Sequence, residues 1–282
     1  MDLKGSHVVI SGAASGIGRT LAKDFFVKEK CHLYLFDKHA EGLNSLATEL
    51  KSQDPELHVE AYAGDLTSNP SVNGFLASIQ KRTSSLDILV NSAGVFYIGA
   101  FEEMQIEDFE NVIAVDLLGA IRLTRSLLPL LLQGKNPTLV NLSSLAGLIG
   151  APGMSAYSAA KFGLTGFSDS LRSELKGRVH VCTVSPSFVQ TPVADHMTFS
   201  NAIPENGKNE KVLKMNDIVE KFGATPEKVS NLLIDGIKKK KKRILINPEA
   251  HFLVGINRLL PSMTESIVGH LYKKLQDKGV LK

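Results

Sequence analysis

Only two cysteines, Cys31 and Cys182, occur in the 282 residues. Each sits in an apolar, strand-like run, so two buried free thiols are expected rather than a disulfide framework, in keeping with a reducing, cytoplasmic compartment. No apolar run approaches the ~20 residues that a membrane span requires. The N-terminus runs straight into a short strand, Val8-Val9-Ile10, without the apolar core and cleavage site of a signal peptide. Net charge is only +3, too small to mark a nucleic-acid partner. The one dense basic run also lacks the interleaved aromatics that stack on bases. The eight histidines show no ligand-like pairing, so no catalytic metal is expected. Internal repeats are absent, and the lysine run is the only low-complexity stretch. What is present is a 43% hydrophobic chain, which excludes wholesale disorder and is long enough to bury a sizeable core.

The hydrophobic pattern alternates between two periods. Short apolar runs at 7–11, 32–36, 58–63, 87–90, 138–142, 179–184 and 244–246 read as strands. Between them, helical patterns cover 17–28, 40–52, 70–82, 105–132, a segment through Tyr157 to about 176, and a segment opened by Thr225-Pro226-Glu227. Strands alternating with helices over short turns imply a parallel sheet covered on both faces. In such folds ligands lie beyond the strands' C-terminal ends.

Three of those ends carry chemistry. After the first strand comes Gly12-Ala13-Ala14-Ser15-Gly16-Ile17-Gly18. Glycines at a strand-to-helix turn let backbone approach a phosphate closely, and a helix N-terminus offers unpaired N–H groups and a positive dipole end to a pyrophosphate. The second strand ends at Asp37, about 20 residues on, where a carboxylate can accept hydrogen bonds from a ribose 2′-hydroxyl and repels a 2′-phosphate. That favours NAD over NADP, although Lys38 and His39 soften the discrimination and keep NADP in play. The third feature is Tyr157-Ser158-Ala159-Ala160-Lys161, with Ser143-Ser144 upstream. Residues four apart share a helix face, so phenol and ammonium enter one site. A neighbouring cation is expected to lower the tyrosine pKa from about 10, suiting Tyr157 to proton transfer at an alcohol.

In order and spacing these motifs resemble the short-chain dehydrogenase/reductase family, over residues 3–248. The resemblance implies a Rossmann-type doubly wound parallel sheet in three α/β/α layers. It assigns Gly12, Ser15, Gly16, Ile17 and Gly18 to the dinucleotide phosphates and Asp37 to the ribose. Asp65 and Leu66 would meet the adenine, and Asn91, Ala93 and Gly94 stand for the family's NNAG motif. Pro186, Val189 and Thr191 would meet the nicotinamide. The catalytic serine lies thirteen residues before the tyrosine, which selects Ser144 over Ser143. Tyr157 and Lys161 complete the pair, and Lys161 would also bind the nicotinamide ribose. The implied activity is hydride transfer between a nicotinamide cofactor and a secondary alcohol or ketone by an NAD(P)-dependent short-chain alcohol dehydrogenase or carbonyl reductase. An NADPH-dependent reductase and a non-catalytic dinucleotide sensor or scaffold are the alternatives. Oligomers, homodimer or homotetramer, are expected from the resemblance alone.

The sequence departs from the family at informative points. Asp116 stands where the fourth catalytic residue is an asparagine. Ser187 replaces a glycine after Pro186, a loss expected to cost backbone freedom. Ser92 makes NSAG of NNAG. Residues 188–222 read as a lid with Phe188, Val193, Met197, Phe199 and Ile203, which favours a hydrophobic substrate; His196 within it reads as a lid residue rather than a catalyst. The catalytic and binding domain is expected to span 1–248, with a helical extension over 249–282. That tail carries two amphipathic patterns broken near Pro261. Three readings of the tail stand open: packing on the lid, on a second subunit, or, with the Lys238-Lys239-Lys240-Lys241-Lys242-Arg243 run, peripheral contact with an anionic membrane.

Overall fold

The computed structural model describes residues 1–191, 197–199, 219–221 and 223–277. The expected lid residues Val193, His196 and Ile203 lie outside them.

Seven strands form one parallel sheet in the order β3-β2-β1-β4-β6-β7-β9. They are β1 (His7–Ser11), β2 (His32–Asp37), β3 (Val59–Ala63), β4 (Ile88–Asn91), β6 (Thr138–Leu142), β7 (His180–Pro186) and β9 (Arg243–Ile246). The central strands β1, β4 and β6 are apolar runs rather than alternating ones, because both faces are covered. On one face, α1 (Gly16–Val27), α2 (Ala40–Gln53) and α7 (Pro226–Lys238) bury Leu21, Phe25, Leu43, Leu46, Val229 and Leu233 against Val8, Ile10, Leu33 and Leu35. On the other, α3 (Asn69–Gln80) and α5 (Ala120–Leu131) bury Phe75, Ile79, Leu123 and Leu127 against Val9, Tyr34, Phe36 and Leu89. Helix α7 is opened by Thr225, whose hydroxyl accepts the Lys228 N–H, with Pro226 in its first turn.

The strand order reverses between β1 and β4, so the loops after them diverge and leave a crevice at the sheet's C-terminal edge. Gly12, at φ +72°, makes the turn there. A Cβ on it would come within 2.6 Å of the Ala93 Cα, so only glycine lets the two loops close on each other.

Two features depart from the sequence reading. The helical stretch expected over 105–132 is interrupted. An α-helix, α4 (Ile106–Ile113), passes into a π-helical turn, Ala114–Gly119, before α5, and Pro129 falls within the last turn of α5. A second, two-stranded parallel sheet pairs β5 (Phe96–Ile98) with β8 (Met197–Phe199). Helix α6 (Ser155–Glu174) carries the tyrosine motif, as expected.

Both tail helices form, α8 (Pro248–Leu259) and α9 (Pro261–Asp277). Because the sheet is parallel, the lysine run that precedes β9 lies at the strands' N-terminal edge, and the tail that follows β9 lies at the opposite edge. The two features behind the membrane reading therefore do not form one surface. Lys238 pairs instead with Glu29 at 2.6 Å and Lys239 with Asp235 at 2.8 Å. No helix among the described residues is long and apolar enough to cross a membrane.

Candidate active site

A cavity of about 1050 Å³ opens along the C-terminal edge of the sheet. At one end it is lined by Asp37, Asp65 and Leu66, in the middle by Gly12, Ser15, Gly16, Ile17, Gly18, Ala93 and Gly94, and at the other end by Asp116, Ser144, Tyr157, Lys161, Pro186, Val189 and Thr191. Of the catalytic and cofactor-binding residues that the resemblance assigns, only Asn91 is not among those lining it.

Asn91 works beneath the site. Its Nδ2 donates to Thr124 Oγ1 at 2.8 Å and to Asn141 Oδ1 at 2.7 Å, and Asn141 Nδ2 donates to Ser168 Oγ at 2.8 Å. In the sheet register Ser11, Asn91, Asn141 and Thr183 lie side by side. A polar row thus crosses β1, β4, β6 and β7 just below the cavity floor and ties the sheet to α5 and α6. Ser11 Oγ accepts the Ser92 N–H at 3.2 Å, holding the β4 loop in place. Thr124, Asn141 and Ser168 were not read from the sequence, where a polar residue in an apolar strand or helix carries no sign of its partner.

The glycine loop is held from below. Gly12 N–H donates to the Phe36 carbonyl at 2.8 Å, and Ala14 N–H donates to Asp37 Oδ2 at 2.9 Å. Asp37 Oδ1 accepts the His39 N–H at 2.9 Å. The first-turn N–H groups of α1, at Gly16, Ile17 and Gly18, have no partner within the helix and line the cavity. Asp65 is fixed by the Thr67 N–H at 2.7 Å and the Thr67 hydroxyl at 2.8 Å. The Thr67 N–H is the largest influence holding the Asp65 carboxyl below its usual range, and Lys38 adds to it. The Lys38 ammonium lies 3.9 Å from Asp65 on a side chain 85% exposed.

At the far end, Lys161 Nζ lies 3.1 Å from Asp116 Oδ2 and donates to the Leu142 carbonyl at 3.1 Å. Asp116 Oδ1 accepts the Val95 N–H at 2.7 Å. The π-helical turn positions this carboxylate, and Gly94 leaves room for it: a Cβ there would sit 2.9 Å from Asp116 Oδ2. Lys161 Nζ lies 5.3 Å from the Tyr157 ring centroid, whose other neighbour is the Phe96 ring, stacked at 4.2 Å. Ser144 Oγ accepts the Ala146 N–H at 3.1 Å, and the Ser144 side chain lines this end with Tyr157. Ser143 is turned away, bonding the Lys161 carbonyl at 3.1 Å and Thr165 at 2.8 Å.

The expected lowering of the Tyr157 pKa is overturned here. Burial raises it most; Lys161 pulls it down, as anticipated, but Asp116 adds to the rise, and the phenol sits above its ordinary value. Burial likewise raises the Asp116 carboxyl against the pull of Lys161. Burial lowers the Lys161 ammonium, but Asp116 and Tyr157 more than offset it and hold it above its usual range. Ser187 brings a second correction. It has no positive φ, so the turn does not need glycine.

A family model described as short chain dehydrogenase matches residues 6–200. This chain belongs to the short-chain dehydrogenase/reductase family. As a member it is an oxidoreductase. The protein SadH of Mycobacterium tuberculosis is 30% identical over 289 residues, covering 100% of this short-chain dehydrogenase and 97% of SadH. A short-chain dehydrogenase/reductase from Burkholderia phymatum, solved with NAD, superposes with a TM-score of 0.82 at 24% identity, over 93% of this chain and 96% of that one. One from Sphingobium yanoikuyae, solved with NADPH, gives 0.72 at 24% identity, over 91% and 95% of the two chains.

The free thiols are as expected: Cys31 and Cys182 are both buried and unbridged, with burial pushing each up to about 12. Missed in the sequence was the tail's share of the cavity wall, which includes Leu253 of α8 and Val268, Leu271 and Tyr272 of α9.

Proposed function

We propose that this short-chain dehydrogenase moves a hydride between NAD and a hydrophobic secondary alcohol or ketone. The observation that carries the proposal is the convergence of the Tyr157–Lys161–Asp116 cluster and Ser144 on one cavity with the glycine loop and Asp37.

The residues fit a dinucleotide. The first turn of α1 suits the pyrophosphate, Asp37 the adenosine ribose, and Asp65 and Leu66 the adenine. Ala93 and Gly94 flank the middle of the cofactor. Lys161 and Tyr157 suit the nicotinamide ribose, and Pro186, Val189 and Thr191 the nicotinamide. Asn91 supports this wall from beneath. When bound, the nicotinamide supplies or accepts the hydride. In oxidation the Tyr157 oxygen takes the substrate's hydroxyl proton; in reduction it returns one. Ser144 holds the substrate oxygen and steadies charge developing on it. Lys161 favours the phenolate, and Asp116 fixes the ammonium beside it.

Asp37 favours NAD, since its carboxylate would repel a 2′-phosphate. The exposed Lys38 side chain favours the second reading, an NADPH-dependent reductase. The buried Tyr157–Lys161–Asp116 cluster argues against a non-catalytic sensor. Leu118 of the π-helical turn and Phe162 of α6, each 45% exposed, support assembly as a homodimer or homotetramer.

The test is turnover of a panel of hydrophobic alcohols and ketones by wild type and Tyr157→Phe. Losing the proton donor is expected to cost at least the 10²–10⁴-fold typical of general acid–base catalysis, with NADH binding retained. Undiminished turnover in Tyr157→Phe would refute the assignment.

A further inference from the structure

The tail helices enter the cavity wall by a route that this chain's own residues build. The chain turns out of β9 at Asn247, whose φ of 81° and ψ of 138° lie where a non-glycine residue is strained. Pro248 then opens α8, and Glu249 sits in its first turn. Ser187 Oγ, from the loop after β7, donates to Glu249 Oε1 at 2.7 Å. Toward the other end of α8, Asn257 Nδ2 donates to the Leu148 carbonyl at 3.4 Å, and Ala250 and Val254 are buried between the two ties. So α8 is fastened to the loops after β6 and β7, the two that carry Ser144 and Val189.

Helix α9 is held more lightly. Thr264 is its one buried residue among those described. Yet Val268, Leu271 and Tyr272 line the cavity, and Leu271 is also 50% exposed, so the cavity reaches the surface beneath α9. Phe96, Ile149 and Met154 line the same cavity, as do Ser144 and Tyr157. These and the tail residues give it an apolar wall.

We propose that α8 and α9 form a latched apolar roof that selects the substrate, with the Ser187–Glu249 hydrogen bond as latch and Leu271 and Tyr272 as the contacts. The substrate is an alcohol or ketone with an extended hydrocarbon part, which lies along α9 while its oxygen meets Ser144 and Tyr157. This inference rests on the dehydrogenase reading above. It also assigns a role to Ser187: the hydroxyl that replaces the family's glycine is the group that fastens the roof.

The experiment compares 2-butanone with 2-decanone by initial rates with NADH and by calorimetric titration of the NAD⁺-loaded enzyme, on which a ketone binds without turnover. Wild type is expected to bind 2-decanone at least tenfold more tightly. Leu271→Ser is expected to raise the KM for 2-decanone about tenfold, equal to about 1.4 kcal/mol, with kcat held within about twofold. Ser187→Ala and Glu249→Ala are expected to give the same selective loss. Glu249→Gln, which keeps an acceptor oxygen, is expected to restore selectivity. A purely structural latch would lower Tm without altering the ratio of the two ketones, and that result overturns the proposal. So does equal affinity for the two ketones in wild type, or no binding of either by enzyme that binds NADH. If NADH itself fails to bind, the dehydrogenase reading fails first, and the NADH titration separates the two cases.

Discussion

At the scale of single residues, Asp116 departs furthest from its family. Its carboxylate accepts the Val95 N–H and places a charge 3.1 Å from the Lys161 ammonium. A carboxylate in that position raises both its neighbours: Lys161 stays protonated more firmly, and the Tyr157 phenol gives up its proton less readily. Asp116→Asn retains an acceptor for Val95 and removes the charge. The Tyr157 pKa then falls, so a larger share of the phenol is ionised at a given pH. The pH at which alcohol oxidation reaches half its maximum is expected to move down, and the profile of kcat/KM against pH measures it. An unshifted profile would show that Asp116 does not act on Tyr157 through its charge. Asp116 was visible in the sequence as an odd residue at a known spacing. Its ion pair was not, because side-chain direction depends on a π-helical turn that the hydrophobic periodicity does not reveal.

At the scale of elements, the strands were the most legible part of the chain. A fully buried parallel strand is an unbroken apolar run, and its bounds were read to within a residue or two at β1, β2, β4 and β6. The Ser11–Asn91–Asn141–Thr183 row crosses four of these runs, and its meaning lies wholly in pairing between distant segments. Asn141→Ala removes the acceptor for Asn91 and the donor to Ser168, all of them buried. The cost is expected to be about 1–3 kcal/mol for each buried group left unpaired. Urea unfolding measures this as a fall in midpoint with an unchanged slope. A change below about 0.5 kcal/mol, the scale of ordinary surface substitutions, would mean the row contributes nothing to holding β4 and β6 beneath the site. The tail helices illustrate a different limit. Their apolar faces were legible, but amphipathicity says only that a face is covered. Leu253 and Leu271 face the cavity because the turn at Asn247 aims them there.

At the scale of the whole molecule, the glycine loop and Asp37 lie more than a hundred residues before the tyrosine–lysine helix, and the parallel sheet brings them to one edge. The order of motifs along the chain carries that arrangement by itself, because strand order and ligand position are linked in doubly wound sheets. Substrate identity was less legible, because the walls that choose it come from the tail and from loops without a fixed pattern. The central claim is that the cavity holds a nicotinamide dinucleotide, with NAD preferred through Asp37. The most direct measurement is titration of the protein with NADH and with NADPH, followed by cofactor fluorescence. Saturable binding of both, with NADH tighter by at least tenfold, or about 1.4 kcal/mol, is the predicted result. Binding of neither would contradict the account at its root.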